Sequence, residues 1–394
     1  MTAPAPATII LDDARWDRVA EATGNAAAPC FQCGTCTAVC PWGLVAGPTI
    51  GVRSIVRKAQ LGIDGWAEDV WRCTTCGACE SQCPHQVPIG QVMVGLRSLA
   101  WKDEQVPEGL SPVMWDLYWD GNPWGRPPSE RSRWAAGLDV PRFDPALHDV
   151  LLYVGCTASY DRRAQKIARS VVSLLRTAGV SFGTLGDDEP CCGDPVRSLG
   201  NEAYFQELVA TNTKMLTESG ATRMVTVSPH CYDTFAQHYP GLSGVVNVRH
   251  YATVLEDLIA GESLAFEGTG DQKITFHDPC YLARHQDEIR PPRSVLGAIP
   301  GAALTEMERS GTTTLCCGGG GGRMWMETAA GERFADSRVR EAAATGAEKL
   351  VTTCPHCVAC LEDAISVTGT KGLALLDLSE LAIQSGPFHP GGAA

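Results

Sequence analysis

The chain has 394 residues, of which 18 are cysteine, 44% are hydrophobic and 20% are charged, and its net charge is −13 without a basic stripe. This length predicts two or three domains, and the charge argues against nucleic acid as a partner. The N-terminus has no signal-peptide pattern and no run approaches the roughly 18 apolar residues that span a bilayer, so we expect a cytoplasmic chain without its own membrane span. Because cytosolic thiols stay reduced, the cysteines indicate metal binding or redox chemistry.

Cysteine and tryptophan are distributed unevenly, which divides the chain. Eight cysteines lie between Cys30 and Cys83, ten lie between Cys156 and Cys360, and nine of the ten tryptophans lie at or before Trp134. The predicted parts are an N-terminal segment (1–24), a helical cysteine domain (25–100), a Trp- and Pro-rich connector (101–148) and two α/β repeats (149–268 and 269–394).

The helical domain contains two cysteine runs with the spacing C-x2-C-x2-C-x3-C-P. The runs are Cys30, Cys33, Cys36 and Cys40, and Cys73, Cys76, Cys79 and Cys83. This is the spacing of bacterial ferredoxins, in which three thiolates hold one 4Fe–4S cubane and the fourth holds the other. The predicted ligand sets are Cys30, Cys33, Cys36 and Cys83, and Cys73, Cys76, Cys79 and Cys40. Two zinc sites are the alternative, but zinc has no use for the third cysteine of each run.

Helical spacing is visible between these two runs. Ile55, Val56 and Ala59 precede a closing Gly62, and no strand pattern is evident. In the connector, Trp115, Tyr118, Trp119 and the turn at 122–125 either pack one module on the other or dock a partner; packing is the favoured interpretation.

The remainder of the chain is an internal duplication. Residues 219–231 match residues 345–357 at an offset of 126, the Cys-Cys-Gly triplet at 191 recurs at 316, and Cys156 recurs as Cys280. Each repeat predicts a mostly parallel sheet covered by helices, since residues 150–154 are typical of a strand and an amphipathic helix follows over 164–178. The cysteines come just after strands, where ligands sit in open α/β sheets.

The second repeat carries a five-cysteine motif followed by five glycines. The cysteines are Cys280, Cys316, Cys317, Cys354 and Cys357, and the glycines occupy 318–322. Adjacent cysteines need a turn to face one metal group, and glycine lets the chain approach that group closely. A phosphate-binding loop is disfavoured, because no Lys-Ser/Thr pair follows.

With both motifs in place, residues 25–385 resemble the CCG-domain family. That family includes the catalytic iron–sulfur subunit of heterodisulfide reductase, its relatives in dissimilatory sulfur metabolism, and the iron–sulfur subunits of glycolate, lactate and anaerobic glycerol-3-phosphate oxidation. The resemblance implies an α+β multidomain protein, with an all-helical two-cluster ferredoxin-like domain before two duplicated CCG domains. It also implies that Cys280, Cys316, Cys317, Cys354 and Cys357 hold a non-cubane 4Fe–4S cluster that cleaves or forms a disulfide.

The first repeat departs from the five-cysteine pattern. It keeps Cys156, Cys191, Cys192 and Cys231, but Ser228 stands where the second repeat has Cys354. A serine hydroxyl is a poorer iron ligand than a thiolate, so three interpretations remain: a cubane, an altered cluster, or buried structural thiols. We therefore expect one catalytic site, in the second repeat.

Three histidines and one further cysteine accompany the motifs. His230 and His356 occupy equivalent positions and are expected to hydrogen-bond a cluster sulfur or backbone. His277 has no counterpart in the first repeat and is a candidate proton donor for leaving thiolates, ahead of Arg284. Cys360 is interpreted as a packed thiol.

These features predict an iron–sulfur oxidoreductase subunit that relays electrons through two cubanes to a CCG-bound cluster acting on a thiol, a disulfide or a sulfur carrier. The alternative is a non-catalytic electron-transfer subunit of a flavin-dependent dehydrogenase complex (glycolate, lactate, glycerol-3-phosphate or acyl-CoA type) that passes electrons to or from quinone. Either function needs a partner subunit, because no flavin or nicotinamide fingerprint is visible. The resemblance implies a flavoprotein or a membrane haem- or quinone-binding subunit, which would bring the chain to the inner face of the membrane.

Overall fold

The computed structural model describes residues 12–45, 50–268, 270–329 and 331–391. Its N-terminal part is helical, as predicted. The helices are α1 (Asp13–Thr23), α2 (Thr35–Ala38), α3 (Val52–Leu61), α4 (Ala67–Arg72), α5 (Ala78–Ser81) and α6 (Ile89–Lys102), with a 3-10 turn at Pro41–Leu44. Helix α3 buries Ile55, Val56 and Ala59, and it ends at Gly62, whose φ of +60° favours glycine.

The connector forms α7 (Leu110–Asp120) and two 3-10 turns at Pro128–Glu130 and Arg133–Ala135. Trp115 and Trp119 on α7 are 61% and 72% exposed, so the prediction that aromatic rings pack one module on another is wrong for these two. It agrees with the structure for Trp124 of the turn, which is partly buried against the core that the helical domain and the first repeat share. Both exposed tryptophans lie on the side of α7 opposite its apolar face, which buries Leu110, Val113 and Leu117. Tyr118 is also exposed, although its ring contacts Tyr204 of the first repeat.

The first repeat is a parallel four-stranded sheet with helices. Its elements are β1 (Val150–Tyr153), α8 (Cys156–Tyr160), α9 (Gln165–Thr177), β2 (Phe182–Gly183), α10 (Asp194–Ser198), α11 (Glu202–Glu218), β3 (Arg223–Thr226), α12 (Pro229–His238), β4 (Asn247–His250), α13 (Tyr251–Ala260) and β5 (Ala265–Phe266). The sheet order is β2-β1-β3-β4, and the 3-10 turns lie at Gly186–Asp188 and Pro240–Leu242. All residues of β1 are buried, as expected for a strand covered on both faces.

The second repeat has the same topology, which confirms the predicted duplication. Its elements are β6 (Gln272–Phe276), α14 (Cys280–Ala283), α15 (Arg290–Gly297), β7 (Ala302–Leu304), α16 (Phe334–Ala344), β8 (Lys349–Thr352), α17 (Pro355–Thr368), β9 (Ala374–Asp377), α18 (Leu378–Gln384) and β10 (Pro387–Phe388), with 3-10 turns at Gly311–Thr313 and Arg323–Trp325. The parallel sheet order is β7-β6-β8-β9, and β10 pairs antiparallel with β5 of the first repeat.

Equivalent cysteines begin equivalent helices in the two repeats. Cys156 and Cys280 are the first residues of α8 and α14, directly after β1 and β6. Cys231 and Cys357 lie in the first turns of α12 and α17, which follow β3 and β8. Parallel strands bring these positions to the carboxyl edge of each sheet. Among the described residues, no helix is both long enough and apolar enough to cross a bilayer.

Candidate metal centres

The first predicted cubane set lines one small cavity near the surface of the helical domain. Cys30, Cys33, Cys36 and Cys83 all border it, so the distant Cys83 joins the first run as the ferredoxin spacing requires. The amide nitrogens of Gln32 and Val87 lie 3.4 Å from the Sγ atoms of Cys30 and Cys83. Cys33 is exposed. This cavity therefore lies at the outer edge of the protein.

The second predicted cubane set lines a larger cavity of about 460 Å³. Cys40 crosses over from the first run to join Cys73, Cys76 and Cys79 around it. Burial raises the pKa of the Cys40 thiol to about 12, so a metal group is what would keep this sulfur ionised at neutral pH. The cavity also borders Tyr281, Arg284 and His285 of the second repeat, which places it between the two domains.

The five cysteines of the second repeat form one continuous buried group. Cys280 contacts Cys316, which is adjacent to Cys317, and the Sγ atoms of Cys317 and Cys357 lie 3.4 Å apart. Cys357 in turn contacts Cys354. The turn needed to bring Cys316 and Cys317 to one group is present, because Gly318 follows with a φ of +90°.

Cys76 joins the helical domain to this group. Its side chain makes a hydrogen-bonding contact with Cys316, and the neighbouring Thr74 hydroxyl lies 3.6 Å from the Cys316 Sγ atom. The Arg284 Nε atom donates to the Cys76 carbonyl at 2.7 Å, while its Nη1 atom donates to the Thr314 carbonyl at 2.7 Å. A candidate ligand of the second cubane thus touches a candidate ligand of the CCG cluster.

The glycine run makes this approach possible. A side chain at Gly320 would overlap the carbonyl oxygen of Thr74, and one at Gly321 would lie 2.5 Å from the carbonyl oxygen of Cys73. Glycine is needed here for contact with the second cysteine run of the helical domain. The sequence predicted that the glycine run approaches a metal group, and it did not predict this contact with the backbone of Cys73 and Thr74.

Replacing Gly320 with alanine tests this contact. We expect Gly320→Ala to lower the free energy of unfolding by about 1–3 kcal/mol, because the added methyl group must push the Thr74 backbone away. Thermal denaturation under anaerobic conditions measures the change. Gly297→Ala is the matched control, since a Cβ atom there meets no atom within 4 Å; equal destabilisation of both variants would contradict the proposed close contact.

Two histidines and Cys354 form a polar group between the repeats. The nitrogens of His230 and His356 and the Cys354 sulfur all lie within 4.8 Å of one another. Burial opposes ionisation of Cys354, but contacts with Cys357 and both histidines outweigh it and hold its pKa well below the usual range. His230 Nδ1 lies 3.0 Å from a carboxylate oxygen of Asp194, so the first repeat contributes to the environment of a cysteine in the second.

His277 lies beside Cys317 and Cys357, within 4.8 Å of both sulfurs. Burial, and then the nearby Arg338 guanidinium, hold its pKa well below the usual value, so the ring is neutral. Arg338 Nε donates to His277 Nδ1 at 3.0 Å, which leaves the proton on Nε2, and this buried atom has no partner among the described residues. His277 therefore lies beside the five-cysteine group as a neutral ring, which fits the predicted proton-donor role poorly.

The first repeat also gathers its four cysteines. Cys156, Cys191, Cys192 and Cys231 contact one another in that order. Ser228 is buried close to them, and its hydroxyl has no partner among the described residues. Arg131, which the sequence did not single out, approaches Cys156 at 3.5 Å and pairs with Glu189. These residues could hold a further iron–sulfur group.

Buried cations support the fit of these centres to iron–sulfur clusters. Arg97 is fully buried, Arg323 is 8% exposed, and Arg284 is partly buried around the second cysteine run and Cys317. Among the described residues, no carboxylate oxygen lies within 4.0 Å of these three guanidinium groups. These guanidinium groups donate to carbonyl or hydroxyl oxygens but have no carboxylate partner in the part of the chain that the structure describes. Such buried cations favour an anionic group nearby, and a thiolate-ligated cluster is anionic. The groups of four and five cysteine sulfurs are also soft donor sets of the kind that iron–sulfur clusters use.

A cavity of about 330 Å³ opens next to the second-repeat group. Cys317, Cys360, Arg323 and Met324 are among its lining residues. The interpretation of Cys360 as a packed thiol agrees with the structure, because this partly buried side chain packs against the apolar core of the second repeat. It also borders the cavity, which the sequence analysis did not predict. The sequence did contain a signal for this placement. Cys360 follows Cys357 by three residues on α17, and residues three apart lie on the same face of a helix.

Comparison with known proteins agrees with this arrangement. Residues 26–87 match the 4Fe-4S dicluster domain family, and residues 150–236 and 274–362 match the cysteine-rich CCG domain family. The chain is 31% identical to a subunit of the dihydromethanophenazine:CoB--CoM heterodisulfide reductase of Methanosarcina acetivorans, over 83% of this chain and 86% of that protein. The chain therefore belongs to the CCG-domain iron–sulfur family.

Two longer relatives show similar or higher identity over part of their length. The probable iron-sulfur-binding oxidoreductase FadF of Bacillus subtilis is 37% identical over 81% of this chain, and EtfAB:quinone oxidoreductase of Syntrophomonas wolfei is 33% identical over 80%. The chain spans 46% of each, about half their length. The chain is thus similar to iron–sulfur oxidoreductases and to one heterodisulfide reductase subunit.

Proposed function

We propose that the chain is a heterodisulfide-reductase-like subunit that connects two ferredoxin-type cubanes to one thiol- or disulfide-reactive CCG centre. When bound, the cubanes supply one-electron transfer and the CCG cluster supplies iron that can interact with a substrate sulfur. The contact between Cys76 and Cys316 carries this proposal, because it joins the two kinds of centre through protein sulfur.

The residues around Cys317 suit sulfur chemistry. Cys317 lies between the 330 Å³ cavity and Cys357, so a molecule in the cavity reaches the edge of the five-cysteine group. The neutral His277 ring has a nitrogen within 4.8 Å of the same sulfurs, and its N–H group can donate to negative charge that develops beside it. The Arg323 guanidinium adds positive charge at the cavity wall.

The proposal predicts different effects for equivalent cysteines of the two repeats. We expect Cys317→Ala to lower disulfide reduction, driven by reduced methyl viologen, by about 100-fold or more, since changes in the outer shell of a metal site alone reach that size. Cys192→Ala is the matched control, because Cys192 occupies the equivalent position in the repeat that has Ser228, and it should keep most of the activity. Equal activity in the wild type and Cys317→Ala would contradict a reactive centre in the second repeat.

A second candidate function is electron transfer without sulfur chemistry, between a flavoprotein and quinone. The similarity to EtfAB:quinone oxidoreductase favours it. In that function Cys317 would only help to hold a cluster that transfers electrons, and no thiol substrate would be needed. Quinone reduction by a reduced electron-transferring flavoprotein, with the wild type showing no response to added thiols or disulfides, would support this candidate over the first.

A further inference from the structure

We propose that the surface around Cys33, Phe31, Arg53 and Arg57 is the docking face for an acidic one-electron carrier protein. This inference rests on the proposed electron-transfer function and names the face through which a partner reaches the first cubane. The partner would lose one electron as the cubane gains one, or the reverse, with no other bond or proton change.

Exposure distinguishes this end of the helical domain from the other. Cys33 is exposed, and Phe31 is 74% exposed while its ring stacks on His85 at 4.2 Å. The second cysteine run instead lies against the second repeat through Cys76 and Thr74. A partner protein therefore reaches the first predicted cubane directly, whereas it reaches the second only past other parts of the chain.

The stretch of chain that carries Cys33 has a net charge opposite in sign to that of the whole protein. Residues 24–63 contain no aspartate or glutamate, although the chain has 45 acidic residues and a net charge of −13. The stretch contains three cationic residues, Arg53, Arg57 and Lys58, and Arg53 lines the same cavity as Cys33. The flanking Asp64 is held by Arg15 at 2.8 Å.

Two of these cations are available to a partner. Arg53 and Arg57 are exposed, and neither forms a salt bridge within the described part of the chain, whereas Lys58 is occupied by the Gly65 carbonyl oxygen. An acidic carrier would be repelled by the chain as a whole but attracted to this face, which orients its encounter with the exposed Cys33 edge. The exposed Phe31 ring borders the same cavity as Cys33 and Arg53 and supplies apolar contact for a partner.

An anionic membrane is a less suitable occupant. Lipid recognition by charge usually takes four to eight clustered Lys or Arg residues. This face offers two unpaired guanidinium groups, which is enough to orient a protein but few for stable binding to a bilayer.

The test uses the holoprotein and flavodoxin, a small acidic flavin protein, as the probe. We expect Arg53→Glu/Arg57→Glu to weaken flavodoxin binding, measured by calorimetry, and to slow electron transfer from reduced flavodoxin at low ionic strength by about tenfold or more. The difference should shrink as salt is added. Reduction by the cationic methyl viologen radical should not be slowed, and the cubane EPR spectrum should stay unchanged.

Arg162→Glu/Lys371→Glu is the matched control, because it changes the net charge equally at two exposed positions in the CCG repeats. It should behave as the wild type in flavodoxin binding. Equal effects of the two double variants, or loss of binding to phosphatidylglycerol vesicles with flavodoxin binding intact, would overturn the proposal. The assay needs no thiol substrate, so failure of the Cys317 prediction leaves it unaffected.

Discussion

Replacing Cys76 with alanine is expected to remove one cubane and disconnect the helical domain from the second repeat. Cys76 lines the cavity of the second predicted cubane and also contacts Cys316, so both the metal centre and its link to the CCG centre depend on one sulfur. We expect iron content to fall by about one cluster, and disulfide reduction driven by a protein donor to fall by about 100-fold or more.

Iron analysis, EPR of the reduced protein and steady-state assays measure this effect. The signal of the first cubane should remain, because its predicted ligands line a separate cavity. Full iron content and normal activity in Cys76→Ala would contradict both the ligand assignment and the proposed connection.

The largest expected loss of stability follows from breaking a buried ion pair in the first repeat. Arg131 and Glu189 are 3% and 2% exposed and lie 2.8 Å apart. Glu189 also accepts from the amide nitrogens of Val154 and Gly155, so it holds the loop that leads to Cys156. Arg131→Met should lower the free energy of unfolding by about 3–5 kcal/mol, because it leaves a buried carboxylate uncompensated.

An exposed pair nearby supplies the control. Arg142 and Asp188 are 66% and 68% exposed, so Arg142→Met should change the free energy of unfolding by at most about 1 kcal/mol. Urea denaturation of the three proteins under anaerobic conditions compares them. A similar small loss in both variants would show that the Arg131 pair contributes no more than a surface contact.

The sequence predicted those features that a recognisable motif or an internal repeat defines. The ferredoxin spacing placed Cys83 with the first run and Cys40 with the second, as the two cavities have it. The offset between repeats predicted two parallel sheets with cysteines at their carboxyl edges, and the structure has them. The first inference rests on the known spacing of a ferredoxin motif and the second on landmarks repeated in one order, so neither depends on how complete domains pack.

Contacts between distant segments could not be predicted from a single sequence. Nothing in the sequence pairs Gly320 with Thr74, or His277 with Arg338, because such contacts depend on how complete domains pack. The pairing with Arg338 is what makes the proton-donor role of His277 a poor fit. Trp115 and Trp119 were assigned to packing on composition alone, and their exposure shows that an aromatic residue in a connector need not be buried.

We propose above all that the second repeat binds a substrate sulfur through its five-cysteine centre. EPR of the oxidised holoprotein with a small thiol enriched in ³³S tests it most directly. We predict a paramagnetic signal that appears only with thiol, is broadened by ³³S, persists in Cys192→Ala and is lost in Cys317→Ala. A spectrum that is the same with and without thiol would contradict the claim and favour electron transfer alone.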